Sequence, residues 1–196
     1  MDSVKTTNDK IFYKHEKLCD FFYREALTHC AKVFAKSNQG WSLTCETNGL
    51  VKRLVLKSKN RCGYLSLFIN RTSIKATAIA NNRVGLGTLW SYLHENGAGI
   101  IIADFDKYVP KGTSMKHDFA DAIERMNVLI DYTLASFDYI GYVTLEHFSD
   151  AKQAHKNLCA LQDNMKEVAS QPILRYGVHT KKEYNNLVNA MDSRDE

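Results

Sequence analysis

The sequence predicts an α+β protein: an N-terminal helix, an antiparallel β-meander of about four strands with one added strand, and a helical C-terminal half. Three observations carry that expectation. Apolar residues recur at three- and four-residue steps between Ile11 and Val33, the spacing of one helical stripe. From Trp41 to Ala80 the period drops to two and short polar turns interrupt it, as in half-buried strands. Beyond Ser114 the helical spacing returns and runs to Val168.

Asn8 or Asp9 is suited to cap the first helix, because a side-chain oxygen there accepts an otherwise unpaired amide N–H. Ile11, Leu18, Cys19, Phe22, Ala26, Cys30 and Val33 form its stripe, and Ser37-Asn38-Gln39-Gly40 supplies an end and a loop. His15 and His29 lie on or beside that stripe and read as boundary histidines rather than ligands. Trp41, Leu43 and Cys45 alternate with polar residues until Asn48-Gly49, a two-residue hairpin signal. Three further strands are expected, over 50–57, 62–70 and 73–80. Connections this short join neighbouring antiparallel strands.

Alternation sorts these strands into two faces. Trp41, Leu43, Leu54, Leu56, Leu65, Leu67, Ile69, Ile74, Ala76 and Ala78 belong to a core face that the first helix would cover. Arg53, Lys57, Tyr64, Ser66, Phe68, Asn70, Lys75 and Thr77 belong to the other. Lys52 falls out of phase with this scheme, which calls for a bulge or a shifted register. Further on, Thr88 caps a short helix containing Leu89, Trp90 and Leu93 that Gly97 ends, and Ile100-Ile101-Ile102-Ala103 reads as a strand buried on both faces. Residues 104–112 form a loop.

Thr113 or Ser114 caps the next helix, in which Phe119, Ile123, Met126, Ile130, Thr133 and Phe137 share a face. Residues 139–145 suit either a strand or a helix that kinks near Gly141. Ser149 opens a cleaner helix: Ala151, Ala154, Leu158, Leu161, Met165 and Val168 repeat in alternating threes and fours, an a/d seam. That seam is a candidate homodimer contact, although an apolar stripe of this width also packs inside one chain. Gln171-Pro172 ends it, and Thr180-x-x-Glu183 is a capping box for a last short helix. Residues 1–112 thus form a helix-plus-sheet core and 113–196 a helical region packed on it, together one domain.

Composition bounds what such a chain does. With 196 residues, 44% apolar, 24% charged and two prolines, it suits an ordered core rather than a disordered tail. The first ten residues are polar and no apolar run approaches the roughly 20 residues of a membrane span. Five dispersed cysteines lack any C-x-x-C pair. A cytoplasmic, non-membrane protein with free thiols and no cofactor is the expectation.

Charge is where the sequence becomes specific. From Thr47 to His94 there is no Asp or Glu, while Lys52, Arg53, Lys57, Lys59, Arg61, Arg71, Lys75 and Arg83 supply eight positive charges. A solvated surface ordinarily mixes both signs. A basic, aromatic sheet face fits nucleic acid or another polyanion: cations neutralise phosphates, and rings stack on unpaired bases. Arg53, Lys57, Lys59, Arg61 and Lys75 are the candidate phosphate contacts, and Tyr64 and Phe68 the candidate stacking pair. The expected function is therefore non-enzymatic binding of DNA or RNA; an adaptor that meets an acidic protein uses the same face.

The order helix, three antiparallel strands, helix, strand resembles the core of restriction-endonuclease-like proteins at the level of fold order. That resemblance implies an acid on the second strand and E-x-K on the third, where carboxylates hold Mg²⁺. Residues 50–70 contain no carboxylate. A metal-dependent phosphodiesterase would instead have to use Asp104, Asp106 and His117, whose spacing is not a diagnostic ligand pattern. Gly85-x-Gly87 lacks the third glycine of a dinucleotide loop, and no G-x-S-x-G elbow occurs.

Overall fold

The structure is a computed structural model, and it describes residues 2–34, 41–48, 51–58, 63–70, 73–80, 100–105 and 114–176. Helix α1 (Asp2–Phe34) is followed by β1 (Trp41–Asn48), β2 (Val51–Ser58), β3 (Gly63–Ile69), β4 (Ser73–Ala80) and β5 (Ile100–Asp104). Then come α2 (Met115–Asp118), α3 (Ala120–Thr144), α4 (Phe148–Ser170) and the two-residue β6 (Leu174–Arg175). The predicted α+β architecture is the one found. The sequence-predicted helices at Thr88 and after Thr180 lie outside the described residues.

The six strands form one sheet in chain order, β1-β2-β3-β4-β5-β6, antiparallel except for the β5–β6 pair. Asn48 is itself paired with Val51, so it belongs to β1 and not to the turn. Compared with a turn at Asn48-Gly49, β1 gains Asn48, and β2 keeps its length but runs one residue later, from Val51 to Ser58. Between β3 and β4 the hairpin is fastened by Asn70, which accepts from the Ser73 amide at 2.7 Å while its own amide donates to Ser73 O at 3.1 Å.

Pairing fixes which residues share a face. Leu54 stands opposite Leu67, which stands opposite Ala76; Leu56 stands opposite Leu65. All five are fully buried, and they join Leu18, Cys19, Phe22, Ala26 and Cys30 of α1 and Met126, Leu129, Ile130 and Phe137 of α3 in one apolar cluster. A rim of rings closes it: Phe22 stacks on Phe105 at 5.5 Å and meets Phe119 edge-on at 5.1 Å, and Tyr176 contacts Phe119 at 4.8 Å. Burying one such phenyl ring stabilises the fold by about 1.5–3 kcal/mol.

Several sequence expectations are corrected here. Helix α1 begins at Asp2, several residues before Asn8 or Asp9. No bulge occurs at Lys52, which pairs in register with Thr47 and Ile69. Its aliphatic stem runs along the inner face while Nζ reaches Asp20 on α1 and lies 5.0 Å from the Tyr23 ring centre. The irregularity falls instead between Ile74 and Lys75, where β5 joins. That bulge turns Ile101 outward at 40% exposure while Ile102 and Ala103 stay buried, so β5 is not covered on both faces.

Ser114 caps only the one-turn α2, accepting from the His117 amide at 3.3 Å; the long helix expected to start there, α3, opens separately at Ala120 with Phe119 as its N-cap and no side-chain cap. The ambiguous stretch 139–145 continues α3 to Thr144, and α4 opens at Phe148, with His147 as its N-cap. Between them Glu146 adopts a positive φ of 58°, the left-handed geometry that reverses the chain into a helical hairpin. The seam lies inside that hairpin. Ala151, Ala154, Leu158 and Met165 are buried; Leu158 and Met165 join the core cluster, and Leu161 and Val168 pack against it. Four of the six seam residues are thus buried within the chain, and Leu161 and Val168 are partly buried.

Candidate nucleic-acid interface

Both α1 and α3 pack on the face that holds Leu54, Leu65 and Leu67. The opposite, outer face is built by the alternate residues of the same strands. One cross-strand row runs Glu46, Arg53, Phe68, Lys75 and Ile101 from β1 to β5; another runs Ser42, Lys57, Tyr64 and Ile79. Each aromatic of β3 therefore has a β2 cation directly beside it, and Phe68 has a second on β4. Cross-strand neighbours have Cβ atoms about 5 Å apart, within reach of one ligand. Tyr64 and Phe68 stand four residues apart, about 13 Å along the strand.

Side-chain geometry is best defined around Arg53. Its Nε and Nη2 both donate to Ser66 Oγ, at 3.3 and 3.0 Å, and its Nη1 donates to Glu46 Oε2 at 3.1 Å. The guanidinium carbon lies 5.0 Å from the Phe68 ring centre. A cation over a ring contributes about 0.5–1 kcal/mol at exposed sites. Ser66, expected on a polar face, is fully buried beside Val55, so the middle of this face is closed while its two aromatic rows are half-buried.

Lys57 is exposed and Lys75 half-exposed, and neither is paired with an acid among the described residues. In phase with this face the described strands carry two acids, near the same strand ends but toward opposite edges of the sheet: Glu46 on β1, and Asp104 on β5 in register with Ser73. Arg175 of β6 stands in register with Asp104 and adds a cation there. Sequence patterning missed it, since a two-residue parallel strand leaves no periodic trace. It also missed Glu46, whose meeting with Arg53 follows from the true hairpin register. Lys59 and Arg61 lie outside the described residues.

Two of the three alternative metal residues are described. Asp104 ends β5, where its carbonyl accepts from the Tyr176 amide at 2.7 Å; His117 is exposed on the one-turn helix α2; Asp106 lies outside the described residues. Among the described residues no group of three His, Cys, Asp or Glu side chains could hold a metal ion. His29 instead bonds Asp131 of α3 at 2.6 Å, a partly buried link between helices.

Thiols divide by burial. Cys19 is buried and donates to Ile69 O at 3.2 Å; Cys45 and Cys159 are exposed. Burial, reinforced by Cys45 and Asp131, pushes the Cys30 thiol up to about 12. Tyr23 is pushed up to about 12 by its hydrogen bond with Cys45, with burial adding to it. Neither is an activated nucleophile, which needs a lowered value.

Acids gather elsewhere. A cleft of about 420 Å³ between the end of α1 and the α3–α4 hairpin is lined by Asp131, Asp138, Tyr142, Asp150, Gln153 and Asn157. Burial raises the Tyr142 phenol, and Asp138 and Asp150 raise it further. No protein-family model matches the chain, and no curated protein or solved structure matches it. Its own geometry carries the functional argument. No described helix is long and apolar enough to cross a membrane.

Proposed function

We propose that this protein binds nucleic acid, without catalysing a reaction on it, through the outer face of its sheet. The observation that carries this reading is the pairing of Phe68 with Arg53 and Lys75, and of Tyr64 with Lys57, on a face from which both packed helices are absent. Phosphates are anionic and closely spaced, so two lysines that no described acid pairs with bind them with release of condensed counterions. Half-exposed rings between those lysines accept unpaired bases by stacking, worth about 1–3 kcal/mol per base. Arg53 is already bonded to Glu46 and Ser66, so it serves the stacking surface more than the phosphate chain.

Fluorescence anisotropy with a labelled single-stranded oligonucleotide, repeated across a salt series, tests the proposal. Log affinity should fall linearly with log salt, and Lys57→Ala combined with Lys75→Ala should flatten that slope by roughly 1.4, two phosphate contacts on a single strand. An unchanged slope removes these lysines from the interface. If an acidic protein is the true partner, the parent protein will not bind the oligonucleotide at low salt at all.

A further inference from the structure

We infer that Arg53, Phe68, Glu46 and Lys75 form a subsite for one unpaired guanine base with its phosphate, an inference that rests on the nucleic-acid reading above. Three groups fix the guanidinium of Arg53. Buried Ser66 holds two of its N–H edges, Glu46 holds a third, and Phe68 lies beneath it at 5.0 Å. A planar cation already seated on a ring is a stacking platform that a base joins with little further loss of freedom. Lys75, in register on the far side of Phe68, is placed to meet the phosphate of the same nucleotide.

Glu46 is what gives the platform a preference. Its Oε2 accepts from Arg53, and its side chain is half-exposed at 51%, so the carboxylate still has acceptor capacity for a ligand. A carboxylate at the edge of a stacked base reads donors. Guanine presents two adjacent ones on its Watson–Crick edge, N1–H and N2–H, and bonds both oxygens of a carboxylate at once. Adenine and cytosine offer one exocyclic amine beside a ring acceptor, which a carboxylate repels. Uracil offers one N–H between two carbonyls. The order guanine, then adenine or cytosine, then uracil follows from these edges. Only an unpaired base exposes that edge to a side chain.

The test compares full-length protein binding to a labelled eight-nucleotide uridine strand with binding to the same strand carrying one central guanosine, adenosine or cytidine. Guanosine should tighten binding over adenosine by roughly 5- to 100-fold, the discrimination of one bidentate pair. Glu46→Gln should reduce that ratio to about twofold or less, while the all-uridine strand binds as well or better because a negative charge is gone. Arg53→Lys keeps the charge and loses the fork, and should lower the guanosine ratio as well. Equal affinity of the parent protein for all four strands overturns the guanine subsite and leaves the nucleic-acid reading standing. Failure to bind any strand at low salt overturns both. A guanosine preference that survives Glu46→Gln intact removes Glu46 from base recognition and overturns the assignment.

Discussion

On the outer face of the sheet, Lys57 and Lys75 stand beside aromatic rings with no described acid paired to them, whereas the cleft under the α3–α4 hairpin gathers Asp131, Asp138 and Asp150 around Tyr142. Both surfaces lie over apolar packing. They differ in sign and in what the apolar residues beneath them do. Under the hairpin, Ala151, Ala154, Leu158 and Met165 are buried against the neighbouring helix, and the carboxylates border that packing. On the sheet the rings themselves rise between the cations. A polyanion is repelled from the first surface and attracted to the second, so charge segregation orients the molecule before any close contact forms. In the proposed function the hairpin contributes stability and the sheet face recognition.

The largest expected effect falls on the hairpin. Met165 is fully buried on α4, and Met165→Ala should cost about 2–5 kcal/mol through lost apolar contact and a residual cavity. Denaturant unfolding measures that loss, and the folded fraction should bind oligonucleotide with unchanged affinity. A drop in intrinsic affinity would break the division between the two regions.

A smaller effect is set by pH. Cys30 keeps its proton up to about pH 12 in the folded chain, against 9.0 for an ordinary thiol, chiefly through burial. Between those values the unfolded state has released a proton that the native state retains. Stability contributed by the neutral thiol is therefore complete below pH 9 and is lost as pH rises toward 12, with a slope of at most about 1.4 kcal/mol per pH unit. Replacing Cys30 with Ala should shallow that slope in urea titrations run from pH 8 to 11. A slope unchanged by the substitution would mean that another group governs alkaline unfolding.

The smallest effect belongs to Lys52, a cation from the acid-free stretch that faces the other way. It pairs with Asp20 and covers Tyr23 on the inner face, so Lys52→Met should change stability by about 0–1 kcal/mol. Oligonucleotide affinity should stay within about twofold, unlike that of the Lys57 and Lys75 double variant. A tenfold loss would show that net charge, not the outer face, governs binding.

Period and turn chemistry made much of the fold legible in the sequence. Alternation located β4 to the residue and sorted Leu54, Leu56, Leu65 and Leu67 onto the buried face, because a pleated strand reverses side at every step. Helix α1 was placed too late because its first residues are polar, and apolar periodicity cannot register a helix turn without an apolar stripe. Lys52 stands on the inner face despite its charge, because a four-carbon stem runs along that face and carries the ammonium to Asp20. The Arg53–Glu46–Ser66 arrangement depended on the position of one turn: a turn at Asn48-Gly49 would set Arg53 opposite Thr44, whereas with Asn48 paired to Val51 the partner shifts by two residues to Glu46. Strand β6 and Arg175 depended on a long-range parallel pairing that no local pattern encodes. What sequence alone identified at the site was its sign and its two rings.

The most direct measurement is a nuclear magnetic resonance titration of the isotope-labelled protein with a short single-stranded oligonucleotide, following the aromatic rings and backbone amides. The account predicts saturable shifts at Tyr64, Phe68, Lys57 and Lys75, with Tyr142, Asp150 and Asn157 across the acidic cleft unmoved. Shifts confined to the helical hairpin, or a spectrum unaltered by excess oligonucleotide at low salt, would contradict it.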